Sequence, residues 1–215
     1  MKKPILRWSV YLLGLFSLAF GISLSIKANL GTSPISSVAY CISSIWGLNL
    51  GVMNFLVYAS FVAAQFILRG KNCRIYDLLQ LVVSVVFSWA MDKLVGIIPY
   101  DSTTHGLWGN LLLMLVAIVF IGIGVSCSLN MRLVPNPGEG IVQALSEKTG
   151  WSQGLTKNVF DIGCACVTTA ISLIFGGKLI GVGVGTVAAM LGVGRVVALF
   201  NHLVMKKLRG AAGVA

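Results

Sequence analysis

Two polar turns, each leading through a proline into a short helix, hold the residue types best suited to gripping a small anion. They are Asn29-Leu30-Gly31-Thr32-Ser33-Pro34 and Pro135-Asn136-Pro137-Gly138-Glu139. Ser33 and Asn136 stand as N-caps, Pro34 and Pro137 at the first helical position, and Gly47 and Gly150 just past the expected ends. Unpaired amide N–H groups and the dipole at such a start favour a negative group. Glu139 follows Asn136 at capping-box spacing, so its carboxylate has two readings. It is either a cap for its own helix, which is favoured, or a proton or cation site. A third element, the run Gly181–Thr186, opens the last helix and offers the Thr186 hydroxyl. Its glycines serve equally well for close helix packing. It is not a phosphate-binding loop, because the Walker lysine is missing and no strand precedes it.

Ionisable residues within apolar stretches complete the chemistry: Asp92, Lys93, Asp161 and Arg195. Charges at membrane depth are expensive and turn toward protein interior or water. Arg195 has apolar neighbours Val193, Val196 and Val197, and a pairing with Asp92 is expected, as a structural tie or as a gate or proton relay. The candidate solute-binding residues are therefore Asn29, Thr32, Ser33, Asn136, Glu139 and Thr186, with Arg195 as a charge partner. There is no His-Glu-x-x-His pair, no Gly-x-Ser-x-Gly elbow and no Ser/His/Asp set at one depth, so no catalytic residues are expected. Cys41, Cys73, Cys127, Cys164 and Cys166 read as packing residues, and His105 and His202 lie far apart. Neither a metal nor another cofactor is expected.

The elements that must position these groups are apolar helices. Of 215 residues, 57% are hydrophobic and 10% charged. A soluble domain carries about 25% charged residues. Apolar stretches run over 8–26, 50–68, 78–98, 107–129, 155–175 and 180–204, each near the roughly 20 residues needed to cross a hydrocarbon core. The first is read as a mature span, since no small-x-small cleavage pattern follows it. With the amino terminus inside, twelve basic residues fall in inside segments, against Lys27 and Lys178 outside. That bias places both ends in the cytoplasm, at the cell membrane. The net charge of +10 then reports orientation and contact with anionic lipid headgroups. A nucleic-acid partner is not expected.

The 31 residues from Gly21 to Gly51 recur without a gap from Gly124 to Gly154. Eight positions are identical: Gly21/Gly124, Ser23/Ser126, Ser25/Ser128, Leu30/Leu133, Pro34/Pro137, Ser43/Ser146, Gly47/Gly150 and Gly51/Gly154. Three spans separate equivalent points, an odd number, so the halves run in opposite directions across the membrane. The fold class expected is an all-α polytopic membrane protein with six transmembrane helices, two short re-entrant or interfacial helices and an inverted-topology internal repeat. It forms one membrane domain, 1–215, with repeat one at about 6–98 and repeat two at about 107–205. Each short helix reaches roughly 18 Å at 1.5 Å per residue, too little to cross a bilayer. Re-entry is favoured over a flat surface position, more firmly for the uncharged first copy.

The tract Gly183–Thr186, the turn Leu30-Gly31-Thr32-x-Pro34 and the stretch Thr149-Gly150-x-Ser152-x-Gly154 resemble the bacterial YczE/YyaS/YitT group of integral membrane proteins. The resemblance spans nearly the whole chain in layout. It implies the fold and a membrane location and supplies no substrate. The Gly-Pro-x-Asp pattern frequent in that group at the first turn is absent here, where no Asp follows Gly31-Thr32-Ser33-Pro34.

Two functions fit the pattern. The first is a small secondary transporter or facilitator whose partner is a small polar solute bearing an anionic group. The second is a non-transporting membrane scaffold or assembly factor acting through helix packing. A homodimer is compatible with either.

Overall fold

The computed structural model describes residues 2–70 and 75–214. Lys71, Cys73 and Arg74 lie outside that range. In chain order the helices are α1 (Lys2–Ala28), α2 (Pro34–Trp46), α3 (Leu50–Arg69), α4 (Leu79–Ile97), α5 (Gly106–Asn130), α6 (Pro137–Thr149), α7 (Gln153–Gly176), α8 (Val184–Phe200) and α9 (Lys206–Ala212). A 3₁₀ turn, Ile75–Leu78, precedes α4, and a π turn, Asn201–Met205, joins α8 to α9. Among the described residues six helical runs are long and apolar enough to cross a membrane, the last running continuously from Val184 to Ala212. The protein is all-helical and polytopic. Its surface carries Leu, Val, Ile, Phe and Trp side chains at half exposure or more on most of these runs. Hydrocarbon is the solvent that such a surface fits.

The core is the pairing of α1 with α5. Small residues let the backbones close on each other. A Cβ added to Gly21 would lie 2.7 Å from the Ile121 amide nitrogen and 2.9 Å from the Ala117 carbonyl. One added to Gly124 would lie 2.5 Å from the Leu18 amide nitrogen and 2.7 Å from the Gly14 carbonyl. These contacts are reciprocal, since Leu18 and Gly14 precede Ile121 and Ala117 by the repeat length. Arg7 secures one end of the pair, donating 2.7 Å hydrogen bonds to the Met131 and Arg132 carbonyls beyond α5.

The short helices cross over between the halves: α2 packs against α7, and α6 against α3. Ser37 and Thr168 hydroxyls meet at 2.8 Å across the first contact. In the second, Gly140 leaves room for Gln65, whose amide exchanges two 3.1 Å hydrogen bonds with Gln80 of α4. Both short helices are buried at their starts and exposed at their ends, from Pro34–Ser37 to Trp46 and from Asn136–Gly138 to Glu147–Thr149. A helix lying flat on a surface buries one face along its whole length instead.

Local details recur at the same offset. Asn29 and Arg132, the non-glycine residues with positive φ among those described, occupy equivalent positions at 53° and 47°. Gly47 and Gly150 end the short helices in the left-handed conformation. Ser43 donates to the Leu48 carbonyl at 2.6 Å and Ser146 to the Trp151 carbonyl at 2.7 Å.

The expected ion pair does not form. Asp92 accepts hydrogen bonds from the Asn49 side chain at 3.2 Å and the Gly51 amide at 3.3 Å. Arg195 is exposed and donates to the Leu191 carbonyl, one turn back on its own helix, at 3.1 Å. The residue equivalent to Asp92 thus sits on the outer face of α8, where a guanidinium satisfies itself on nearby backbone and snorkels.

Candidate functional site

The turn from Asn29 to Ser33 divides into a structural part and a part facing a cavity. Asn29 ends α1 in the left-handed conformation and is exposed. Thr32 is 1% exposed, its hydroxyl 2.6 Å from that of Ser25 and its amide donating to the Gly181 carbonyl at 3.0 Å. Thr186, also 1% exposed, accepts from the Gly183 amide at 3.2 Å and donates to the Gly181 carbonyl at 3.4 Å. The Gly185 amide closes the clasp on the Leu30 carbonyl at 2.7 Å. Gly31, at φ +98°, lies so close to Gly183 and Thr186 that no side chain fits. These residues lash the α8 entrance to the end of α1. Asn29, Thr32, Thr186 and Arg195 therefore do not line the cavity.

Ser33, Asn136 and Glu139 do line it. The starts of α2 and α6 meet inside the bundle, where a Cβ on Gly138 would lie 3.1 Å from Ile35. Beside them is a cavity of about 300 Å³. Its walls are apolar, from Leu18 and Ile22 of α1, Ile121 and Val125 of α5, and Val193 and Val197 of α8. Its polar lining comes from the helix starts and from α3 and α7.

The two starts differ. Asn136 caps α6, its side-chain oxygen accepting from the Gly138 amide at 3.1 Å. Its amide nitrogen, in a residue 3% exposed, is buried without a hydrogen-bond partner. A buried donor left unpaired costs about 1–3 kcal/mol. Ser33 makes no cap bond to the α2 backbone. Its hydroxyl donates to Ser36 Oγ at 3.3 Å, and the first turn of α2 carries no acid. The Tyr58 hydroxyl of α3 faces both Ser36 and Asn136.

Glu139 is not its own helix's cap. Its carboxylate lies 3.8 Å from the Lys157 ammonium, which is 3.3 Å from Asp161 one turn further along α7. All three groups line the cavity, with Asp161 at 8% side-chain exposure and Glu139 at 14%. A buried carboxylate needs a cation or donors to remain ionised, and here two carboxylates share one lysine. Tyr58, Lys157 and Asp161 were not among the expected solute-binding residues. The signal was present: Lys157 and Asp161 are spaced i, i+4 on a helix, and each lies one repeat length after a polar residue, Asn54 and Tyr58. Among the described residues no group of three or more His, Cys, Asp and Glu is placed to hold a metal ion.

Six membrane-length helices, five of which line a small, mostly apolar cavity with a few polar groups, make this a polytopic membrane protein with an internal cavity. The chain belongs to DUF6198, a family of unknown function, whose model matches residues 5–202. It is 30% identical over 162 residues to the uncharacterized membrane protein YczE of Bacillus subtilis strain 168, covering 75% of this chain and 73% of that protein. It is 24% identical over 214 residues to the uncharacterized protein YyaS of the same organism, covering 95% of this chain and 100% of that protein. No solved structure matches.

Proposed function

We propose that this protein is a small secondary transporter or facilitator in the cell membrane, that it moves a small polar solute through the central cavity, and that its two halves are an inverted-topology duplication. The observation that carries the reading is the meeting of two helix starts on a cavity of roughly 300 Å³, where Asn136 lines the space and its buried amide nitrogen has no hydrogen-bond partner. A ligand acceptor is the natural partner for that donor, and transporters of inverted-repeat type bind solute where broken or short helices meet near the midplane. The reciprocal α1–α5 contact and the exchanged packing of α2 and α6 support the duplication. The basic-residue bias supports cytoplasmic ends.

The test is uptake into liposomes. The purified protein is reconstituted, and counterflow of radiolabelled small carboxylates, amines, amino acids and polyols is measured. Wild type moves at least one of them, Asn136→Leu abolishes that flux, and Arg195→Gln, outside the cavity, retains it. Absence of any flux from wild type, or undiminished flux from Asn136→Leu, overturns the reading.

A further inference from the structure

We infer that the cavity's ligand is a small zwitterion of the amino-acid kind, carrying a carboxylate and an ammonium a few bonds apart. The inference rests on the reading that the cavity holds the solute, and it goes further by naming the class of solute.

The argument begins with polarity. The cavity lining includes donors without acceptors: the buried Asn136 amide nitrogen and the start of α2, which has neither a side-chain cap nor a first-turn acid. A helix start carries roughly half a positive charge in its last unpaired N–H groups. The corresponding charge on α6 is offset by Glu139 in its first turn. Beside these donors two carboxylates, Glu139 on the same helix start as Asn136 and Asp161 on α7, share a single ammonium, Lys157. Besides Tyr58, these are the ionisable groups on the cavity wall. The α1, α2, α5 and α8 portions of the lining contribute none, since Arg195 turns away to Leu191.

A simple anion satisfies these donors and leaves two carboxylates to share one lysine and the α6 start. A simple cation does the opposite and leaves Asn136 unpaired. A carboxylate at Asn136 and the α2 start, joined to an ammonium beside Glu139 and Asp161, satisfies both. Size agrees. A cavity of about 300 Å³ lies at the small end of small-molecule sites and admits small aliphatic amino acids. Ile22, Val125 and Val193 offer an apolar wall for a short side chain.

The experiment uses wild-type protein in detergent and three matched compounds: valine, isovalerate without the ammonium and isobutylamine without the carboxylate. Glycine, alanine and leucine extend the first class. Binding is read by calorimetry and by thermal shift. An amino acid binds, and removing either charged group weakens affinity by at least about tenfold, one 1.4 kcal/mol step. Glu139→Gln and Asp161→Asn weaken valine and leave isovalerate unchanged, whereas Asn136→Leu weakens both. Isovalerate or isobutylamine binding as tightly as valine overturns the zwitterion assignment and leaves the transport reading standing. If none of the four amino acids binds, the zwitterion assignment falls as well. The transport reading then stands or falls on the separate flux panel.

Discussion

The contact between α3 and α4 differs from the contact between α7 and α8, although the two pairs occupy equivalent places in the chain. Three polar ties brace the first pair. Asn54 donates to Ser88 at 2.8 Å, Gln65 and Gln80 exchange amide hydrogen bonds, and Asn49 and Gly51 hold Asp92. At the equivalent positions of the second pair every tie is gone. Asn54 and Ser88 become Lys157 and Leu191, Gln65 and Gln80 become Thr168 and Gly183, and Asn49 and Asp92 become Ser152 and Arg195. The side chains at these offsets are engaged elsewhere: Lys157 turns to Glu139, and Thr168 turns to Ser37. Accordingly α3 packs along α4, while α7 scarcely touches α8. An apolar groove opens there, and Met190 borders both the groove and the central cavity. One half is braced as a fixed wall. In the other, one of these positions, Lys157, carries a charge of the cavity, and the polar bracing is absent.

The largest effect is expected at Lys157. Lys157→Met leaves Glu139 and Asp161 with no cation, and breaking a largely buried ion pair by removing one partner costs about 3–5 kcal/mol. Adding Glu139→Gln and Asp161→Asn to the same chain recovers most of that loss, because no uncompensated charge remains. Denaturant titration in mixed micelles measures both. A single-variant loss below about 1 kcal/mol would mean the three groups are not an electrostatic unit.

The reciprocal α1–α5 contact comes next. Gly21→Val and Gly124→Val each force a side chain onto facing backbone. Overpacking of this kind costs about 1–3 kcal/mol. The two losses should agree within about 0.5 kcal/mol if the halves share this interface equally. A marked inequality would show that the resemblance of the halves stops short of their common core.

Gln80→Leu follows, at about 1–2 kcal/mol, because it leaves the wholly buried Gln65 amide short of a partner. Its equivalent, Gly183, has no such role, and its extended φ of −173° is open to any residue. A Cβ there would nonetheless meet the Leu30 carbonyl at 2.5 Å, so Gly183→Ala should disturb the clasp rather than the α7–α8 contact. Proteolytic sensitivity of the 177–184 loop separates the two effects.

How much of this was legible in the sequence depends on whether the information was local. The caps and prolines placed the short helices at Pro34–Trp46 and Pro137–Thr149, because capping chemistry resides in adjacent residues. The placement of Ser33, Asn136 and Glu139 at those helix starts was legible for the same reason. The threonines show the limit: a hydroxyl near a glycine run reads the same whether it faces a cavity or, like Thr32 and Thr186, a neighbouring hydroxyl or carbonyl. Lys157 was counted as an orientation signal, since its partner Glu139 lies on another helix and periodicity does not reveal that contact. The last helix runs past Phe200 to Ala212 because Asn201, in the π turn, accepts from Ser126 at 2.6 Å and Asn130 at 2.8 Å, contacts made across the bundle.

The smallest expected difference is the most direct check on the contrast between braced and unbraced pairs. Asp92→Ala removes the acceptor for Asn49 and for the Gly51 amide, so it should cost about 1–2 kcal/mol. Arg195→Ala removes an exposed side chain whose hydrogen bond to Leu191 lies within its own helix, and should change stability by no more than about 0.5 kcal/mol. The two positions face each other in the alignment of the halves, so their inequality measures how far α8 has been released from α7. Equal losses would mean that Arg195 carries an interhelical role after all, and the second half would then be braced by a contact other than the three it has lost. A gain on Arg195→Asp paired with Ser152→Asn, which rebuilds the Asn49–Asp92 tie between α7 and α8, would show that the release is a matter of these side chains alone.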